Sequence, residues 1–479
     1  MAYDYDLVVV GCGPAGEKGA AQAGYFGKRV AVVEVAPKPG GAGVHTGTLP
    51  SKTLRETALV LSGYRQRDLY GIKMELDREH AVPKLMSRRE AVRRLEVARI
   101  LWNLERHNAD FLRGAGSFVD PHSLRVRSPE GERIVTGAFF LVATGSRPFQ
   151  PKEIDFADKD IDDSDTILEL DRLPENLTIL GAGVIGCEYA CMFAAMGVKV
   201  HIVESRGRLL PFLDLEIADR LRDAMVDLGV DLRLGVSYTS VARDKERGIV
   251  TRLASGDEIA SDRLLFAAGR SGATAGLELE KIGVQVNARG QVTVDADYKT
   301  AVPHIYAAGD VIGFPALAAT SMEQARVAVC HAFGFNYKKQ VSELLPYGVY
   351  TIPEVSTVGI GEEDALVRGR AFVVGRGLYR ENARGKIIGD KDGLVKLVFD
   401  KETRKLIGCH CLGDRASELV HLGQSVILLG GTVDTFIDMV FNYPTLSECF
   451  KYAAYDALGK FDKPSDPRPQ TIEAKSPGP

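Results

Sequence analysis

The chain has 479 residues, of which 45% are apolar and 26% charged, and its formal net charge is -4. That length allows about three domains of roughly 150 residues each. The near-balanced charge without a long basic run excludes nucleic acid or an anionic membrane as the main partner.

The N-terminus, "MAYDYDLVVVGCGPAG", lacks a basic segment followed by an apolar stretch and a cleavage site, so no secretory signal is expected. No apolar run approaches the roughly 20 residues that span a bilayer, so no membrane insertion is expected either. The seven cysteines are an odd number scattered over a long chain and do not read as a disulfide scaffold. A cytosolic protein is the expectation.

In chain order, "YDLVVV" (Tyr5 to Val10) is a continuous apolar run of strand length, suited to a strand covered on both faces of a parallel sheet. The turn "GCGPAG" follows, then a small-residue helix, then "RVAVVE", a strand ending in an acid. The same unit returns in "LTILGAGVIGCEYACMFAAMGVKVHIVE" (Leu177 to Glu204). In both copies the last motif glycine stands 18 residues before the acid, Gly16 before Glu34 and Gly186 before Glu204. Repetition of a whole strand–helix–strand unit is stronger evidence than either glycine motif alone.

Between the copies, Ser51 to Gly63 reads as a helix opening at "PSK", and Ser87 to Asn108 as a long amphipathic helix. "FFLVATGSRP", "RLLFAAGRSG" and "HIYAAGDVIG" are strands running into small-residue turns. From Tyr347 onward, "KIIGDKDGLVKLVFDKETRKLIGCHCLG" reads as antiparallel strands with tight turns, a different kind of domain. The tail after Phe461 is rich in Pro and polar residues and is expected to be disordered.

G-x-G-x-x-G carries a dinucleotide for physical reasons. The first glycine makes a tight turn, the second lets backbone approach a pyrophosphate, and the third lets helix and strand pack closely. Gly11, Gly13, Pro14, Ala15 and Gly16 form one such turn, and Gly181, Gly183, Val184, Ile185 and Gly186 the other. Glu34 and Glu204 are each expected to hold an adenosine ribose, because a carboxylate accepts from a 2′-hydroxyl and repels a 2′-phosphate. Two dinucleotide sites in one chain, one held tightly and one exchanging, suit a flavin enzyme that takes hydride from a nicotinamide.

Taken in order, "GCGPAG", "GGAGVHTGTLPSK", "ATGSRP", "GAGVIGCEYA", "AAGRSG", "YAAGDV" and "FNYPTLSE" resemble the flavoprotein disulfide reductases from about Tyr5 to about Gly459. The resemblance implies an α/β fold of two Rossmann-like dinucleotide-binding domains plus a C-terminal α+β dimerisation domain. The implied parts are an FAD-binding domain over 1–150 and 276–346, an NAD(P)-binding domain over 151–275, an interface domain over 347–460 and a tail over 461–479. FAD would sit on the N-terminal motif and on "AAGD", with Asp310 on the ribityl chain. NAD(H), with NADP(H) as a further candidate, would occupy the second motif. Gly41, Thr48, Ser51, Lys52, Thr144, Gly145, Gly269, Arg270, Gly309, Leu317 and Ala318 match further cofactor-binding positions. Lys52 would lie by flavin N5 and pair with Glu188, and a homodimer would place "FNYPTLSE" at the neighbour's flavin.

The departures carry the functional message. Aligned from Gly40, the two cysteines of the disulfide-reducing members fall at Gly43 and Thr48, and Tyr443 stands in place of their histidine acid/base, while Glu448 remains. Thiol–disulfide exchange needs an attacking thiolate and a base for its proton, and both have gone. "VHTGT" with "FNYPT" is similar to the soluble pyridine nucleotide transhydrogenases, although those keep the first cysteine. That similarity implies thiol-independent hydride transfer from NADH through FAD to a second nicotinamide, a second electron acceptor taking its turn at one site. The rival readings are an NADH dehydrogenase reducing a quinone or other soluble acceptor, and a redox-responsive flavin-binding protein.

Glu204 favours NADH over NADPH. Arg206 and Arg208 follow in "ESRGRLL", where they could swing toward a 2′-phosphate or remain solvated loop arginines. His45 could donate a hydrogen bond to an acceptor or hold the altered loop; Tyr443, Glu448 and His45 would shape the opposite flavin face. Cys12, Cys187, Cys191, Cys409 and Cys411 read as buried structural thiols, and so does Cys449, despite its place beside Glu448. No cluster of His, Cys and carboxylates has metal-ligand spacing, so no metal site is expected.

Overall fold

The structure is a computed structural model that describes residues 3–64, 69–71 and 76–462; the tail from 463 onward lies outside the described residues. Its first sheet has a parallel centre in which Tyr5–Val10 lies between Val30–Glu34 and Gly131–Val142. Ala109–Arg113 extends one side and Ile305–Ala307 the other. Leu7 to Val10 are at most 3% exposed, which explains the unbroken apolar run: both faces of the strand are covered. The long strand Gly131–Val142 leaves this parallel centre at its N-terminal half, where it pairs antiparallel with Ser123–Ser128, which in turn pairs with Ala115–Asp120.

The helix Pro14–Tyr25 follows the first glycine turn, as its small residues require. A Cβ on Gly19 would stand 2.5 Å from Leu141 and 3.5 Å from Ala325, so glycine there allows the sheet and the helix Ala318–Phe333 to approach together. Two helices differ from the sequence expectation. The "PSK" helix spans Thr48–Leu61, so it begins one turn earlier. The long helix spans Arg78–Arg106 rather than starting at Ser87. Pro83 deletes one donor inside it, but Asp77 caps its start by accepting from the His80 N–H, and Ala81, Val82 and Leu85 are buried.

A second sheet, five parallel strands in the order Asp231–Leu234, Lys199–Glu204, Asn176–Leu180, Arg263–Phe266, Ile161–Asp163, carries the other glycine turn. A three-stranded antiparallel sheet from Tyr238 to Ser261 covers it. The chain crosses between the two large sheets twice, and the crossing segments Ser146–Pro148 and Arg270–Gly272 pair antiparallel. The C-terminal part is a five-stranded antiparallel sheet backed by helices. There the helix Cys449–Leu458 lies against Phe372–Leu378 at a distance only glycine permits: a Cβ on Gly375 would meet the Ala453 carbonyl oxygen at 1.9 Å.

Lys396, on the strand Leu394–Asp400, is 1% exposed and its ammonium is surrounded by carboxylates. It lies 2.6 Å from Asp214, 3.1 Å from Glu216 and 2.5 Å from Glu362. Asp214 caps the helix Leu215–Asp227 of the second dinucleotide unit, so the cluster ties that unit to the C-terminal sheet. Arg376 adds a second cation, 2.7 Å from Glu216.

Candidate active site

The two glycine turns are built alike. A Cβ on Gly16 would stand 1.9 Å from the Gly11 carbonyl oxygen, and one on Gly186 would stand 1.9 Å from that of Gly181. Gly11 and Gly181 have φ of +100° and +109°, a region that favours glycine. The middle glycine is different. A Cβ on Gly183 would meet nothing within 4 Å, and one on Gly13 only Gly41 at 3.8 Å. Protein packing therefore dictates the outer glycines, whereas the middle ones keep open space in front of a helix N-terminus, a place that suits a pyrophosphate. Pro14 and Ala15 open the first helix behind Gly13, and Val184 and Ile185 open the second behind Gly183.

Glu34 ends its strand with one carboxylate oxygen accepting from the Cys12 N–H (2.7 Å) and the other from the Ala36 N–H (2.8 Å). Glu204 repeats this with the N–H groups of Ala182 (2.8 Å) and Arg206 (3.0 Å). In addition, the Arg206 guanidinium donates to both Glu204 oxygens, at 2.9 and 2.8 Å. Burial disfavours the Glu204 carboxylate, but the bonds from Arg206 and Ala182 outweigh it and bring its pKa down to about 2. Arg208 is not poised for a 2′-phosphate as the sequence allowed. It is held by Glu363 at 2.9 Å and by the Leu213 carbonyl.

The altered loop forms the short helix Gly41–His45, followed directly by Thr48–Leu61, which places Thr48, Ser51 and Lys52 on one face. His45 Nε2 donates to the Pro39 carbonyl at 2.9 Å, so within the chain its ring holds the loop. Gly43 lies against Pro14, whose Cγ would be 3.0 Å from an added Cβ. A cysteine there would press on the first glycine turn.

Lys52 and Glu188 meet across 136 residues of sequence. Lys52 Nζ donates to Glu188 Oε2 at 2.7 Å, with side-chain exposures of 25% and 8%. Glu188 Oε1 accepts the backbone N–H of Tyr350 at 2.9 Å, and the Tyr350 ring lies 4.9 Å from Lys52 Nζ. Tyr350 escaped the sequence reading because its main chain makes the decisive bond, which leaves no side-chain signature. A small cavity lined by Ser51, Lys52, Glu188, Tyr189 and Tyr350 adjoins the pair. A buried carboxylate with both oxygens occupied fixes the ammonium, and a fixed cation stabilises negative charge developing beside it.

A chain of polar contacts links Asp310 and Arg270. Ser146 Oγ donates to Asp310 at 2.9 Å and accepts from Arg270 Nε at 2.8 Å. Arg270 also reaches Ser164 (3.0 Å) and Asp165 (3.5 Å), so its guanidinium braces the crossing between the two sheets, beside Gly269. Gly309 has φ +82° and donates its N–H to Gln324. Leu317 and Ala318 stand at the N-terminus of the helix Ala318–Phe333. Thr144 Oγ1, next to Gly145, is buried without a hydrogen-bond partner. That orphaned hydroxyl and the open space before Gly13 and Gly183 fit bound dinucleotides.

At the other end of the chain, Glu448 accepts from Asn382 Nδ2 at 3.2 Å and from the Tyr452 hydroxyl. Tyr443 is 72% exposed. Within one subunit Glu448 is thus satisfied by neighbours of its own domain. All seven cysteines are free and buried; burial pushes the Cys191 and Cys449 thiols up to about 12. Cys409 and Cys411 are 3.9 Å apart, sulfur to sulfur, inside the C-terminal core. Among the described residues no group of three or more His, Cys, Asp or Glu could hold a metal ion, and no helix is long and apolar enough to cross a membrane.

Comparison with known proteins agrees with this geometry. The family profile for pyridine nucleotide-disulphide oxidoreductases matches residues 5–332, and that for the family's dimerisation domain matches residues 345–454, which supports a homodimer. The soluble pyridine nucleotide transhydrogenase of Mycobacterium tuberculosis (strain ATCC 25177 / H37Ra) is 45% identical over 95% of this chain and 98% of that protein. A protein of the same name from Hahella chejuensis is 40% identical over 96% and 99%. Among solved structures, the HOCl-induced flavoprotein disulfide reductase RclA from Escherichia coli matches with a TM-score of 0.85 at 29% identity, covering 95% of this chain and 99% of that one. LpdA from Mycobacterium tuberculosis matches with 0.86 at 27%, covering 94% and 98%. The chain therefore belongs to the pyridine nucleotide-disulphide oxidoreductase family, as a member that works with FAD and NAD(P)H and lacks the cysteine pair.

Proposed function

We propose that the protein transfers hydride between NADH and NADP⁺, the two nicotinamides using the Gly181–Gly186 site in turn, with no thiol intermediate. The observation that carries this reading is the intact Lys52–Glu188 ion pair behind a loop that has Gly43 and Thr48 where the disulfide-reducing members have cysteines. The machinery beside a flavin ring is kept, and the machinery for a disulfide is gone. The relatives, named soluble pyridine nucleotide transhydrogenases, support the same reading.

Bound FAD supplies the two-electron relay. Gly11 to Gly16, Glu34, Thr144 and Asp310 would hold it, and Gly181 to Gly186 with Glu204 would hold the nicotinamide dinucleotide. Lys52 sets a fixed positive charge at the redox centre, and Glu188 together with the Tyr350 N–H keeps it in place. His45 and Pro14 pack the loop, and no thiol stands there to form a covalent adduct. NADP⁺ is the second acceptor in this reading.

The test is anaerobic. The holoenzyme is treated with one equivalent of NADH, and NADP⁺ or a quinone is added in separate stopped-flow experiments while the oxidised-flavin absorbance is followed. Rapid return of the band with NADPH formed establishes the reading. Rapid return with quinone while NADP⁺ is inert replaces it with an NADH dehydrogenase, and slow return with every acceptor replaces it with a redox-responsive flavin protein.

A further inference from the structure

The internal repeat supplies its own control for how each site reads ribose. At both sites the strand-terminal glutamate accepts a backbone N–H from the glycine turn and another from the residue two positions on. At the first site that residue is Ala36, and among the described residues no side chain hydrogen-bonds or ion-pairs with Glu34. At the second it is Arg206, whose fork covers both oxygens of Glu204, while Ser205 Oγ lies 3.3 Å from one of them. A carboxylate offers about four acceptor positions. Cys12 and Ala36 leave Glu34 about half of them. Ala182, Arg206 and Ser205 leave Glu204 none.

We propose that Arg206 is the specificity-determining gate of the exchanging site: a 2′,3′-diol binds Glu204 only by displacing the guanidinium, whereas a 2′-phosphate captures it. The site is thereby able to take NADH and NADPH in turn, and the inference deepens, and rests on, the hydride transfer between the two nucleotides proposed above.

Three features suit Arg206 to this exchange. Its side chain is 50% exposed while that of Glu204 is 6% exposed, so the arginine is the partner that can leave. Its backbone is pinned, because the Arg206 carbonyl accepts from the Gly235 N–H at 2.9 Å and the Glu204 carbonyl from the Val236 N–H at 3.0 Å. Only the side chain has to move. Arg208 is engaged elsewhere, by Glu363 and the Leu213 carbonyl. A planar fork that pairs bidentately with a carboxylate presents the same geometry to a phosphate.

The experiment measures binding of AMP and of 2′,5′-ADP to the FAD-loaded dimer by calorimetry, for the native protein, Arg206→Met and Arg206→Lys. Neither probe carries a nicotinamide, so the result is independent of hydride transfer. In Arg206→Met, 2′,5′-ADP should bind about 10- to 100-fold more weakly, the range for a lost hydrogen bond to a charged group. AMP should bind up to about 5-fold more tightly, because a half-exposed ion pair no longer competes. Arg206→Lys should retain part of the 2′,5′-ADP affinity. Opposite movement of the two probes supports the gate. Parallel weakening, which a merely structural arginine would give, or no change for AMP, overturns it. Should NADP⁺ fail to reoxidise the native enzyme while the probes move oppositely, the proposed function falls and the gate stands. Rapid reoxidation with parallel weakening is the reverse case.

Discussion

Lys396→Met should destabilise the protein more than any other single loss of charge described above. Lys396 is 1% exposed, and methionine has a similar volume, so the change removes the charge without opening a large hole. Three carboxylates within 3.1 Å lose their shared cation. Glu216 keeps Arg376 and Arg220, and Asp214 keeps the N–H groups of Glu216, Ile217 and Glu362. Glu362 is left worst placed, with Arg376 at 3.5 Å. Removing one partner of a buried ion pair costs about 3–5 kcal/mol, against a typical total of about 5–15 kcal/mol for a folded protein. Urea unfolding of the FAD-loaded dimer, followed by circular dichroism, should show the midpoint falling. A cycle with Asp214→Asn should show that the double variant loses less than the sum of the singles, because the two changes share one interaction. A Lys396→Met unfolding free energy within about 0.5 kcal/mol of the native one, the size of an ordinary surface substitution, would refute the reasoning, as would strict additivity. The cluster also has a pH signature. Burial would raise Asp214 and Glu216, but the cations around them bring both down to about 2 from ordinary values of 3.8 and 4.5. Depressed carboxylate pKa values give stability that is complete above the unfolded values and is lost as pH falls through the folded ones. The clamp should therefore hold above pH 4.5 and weaken progressively toward pH 2.

Glu188→Gln leaves Lys52 without its ionic partner and should slow flavin reduction by NADH by about 10- to 100-fold, each tenfold step being about 1.4 kcal/mol; an unchanged stopped-flow rate would remove Glu188 from the site. Gly183→Ala fits the fold, because nothing lies within 4 Å of the added methyl and φ is -78°, yet it should weaken NADH binding about tenfold or more while FAD content stays native. Gly186→Ala brings a methyl to 1.9 Å from the Gly181 carbonyl oxygen and should abolish the soluble fold, so equal expression and FAD content in both variants would contradict the packing account. Alkylation of the native protein with iodoacetamide at neutral pH should leave turnover unchanged, since all seven thiols are buried; rapid inactivation at one thiol per subunit would reinstate a cysteine in the mechanism.

What could be read from the sequence is what local physics writes locally. A strand covered on both faces has to be apolar throughout, and a tight strand-to-helix turn needs its glycines, so the strand Tyr5–Val10, the turn Gly11 to Gly16 and the following strand ending at Glu34 are legible, as are their repeats. The helix start at Arg78 was hidden because Pro83 removes a donor that a capped and packed first turn can spare. Lys52 and Glu188 were reached only through resemblance, because no periodicity relates residues 136 positions apart.

Arg206 shows a subtler limit. The sequence places a cation two residues after a strand-terminal acid but says nothing about which way it turns, since an exposed arginine has many low-energy conformers and one contact chooses among them. The chosen contact is the acid itself. Charge counting alone would therefore rank this site as an NAD site with a neighbouring arginine, when its two most selective groups are paired and neither is free until a ligand arrives. The same count misreads the Lys396 cluster, where cations of the C-terminal sheet and carboxylates on two helices neutralise one another in the interior. In both places the chemistry resides in the pairing, near in sequence at Arg206 and distant at Lys396, and a linear pattern displays neither.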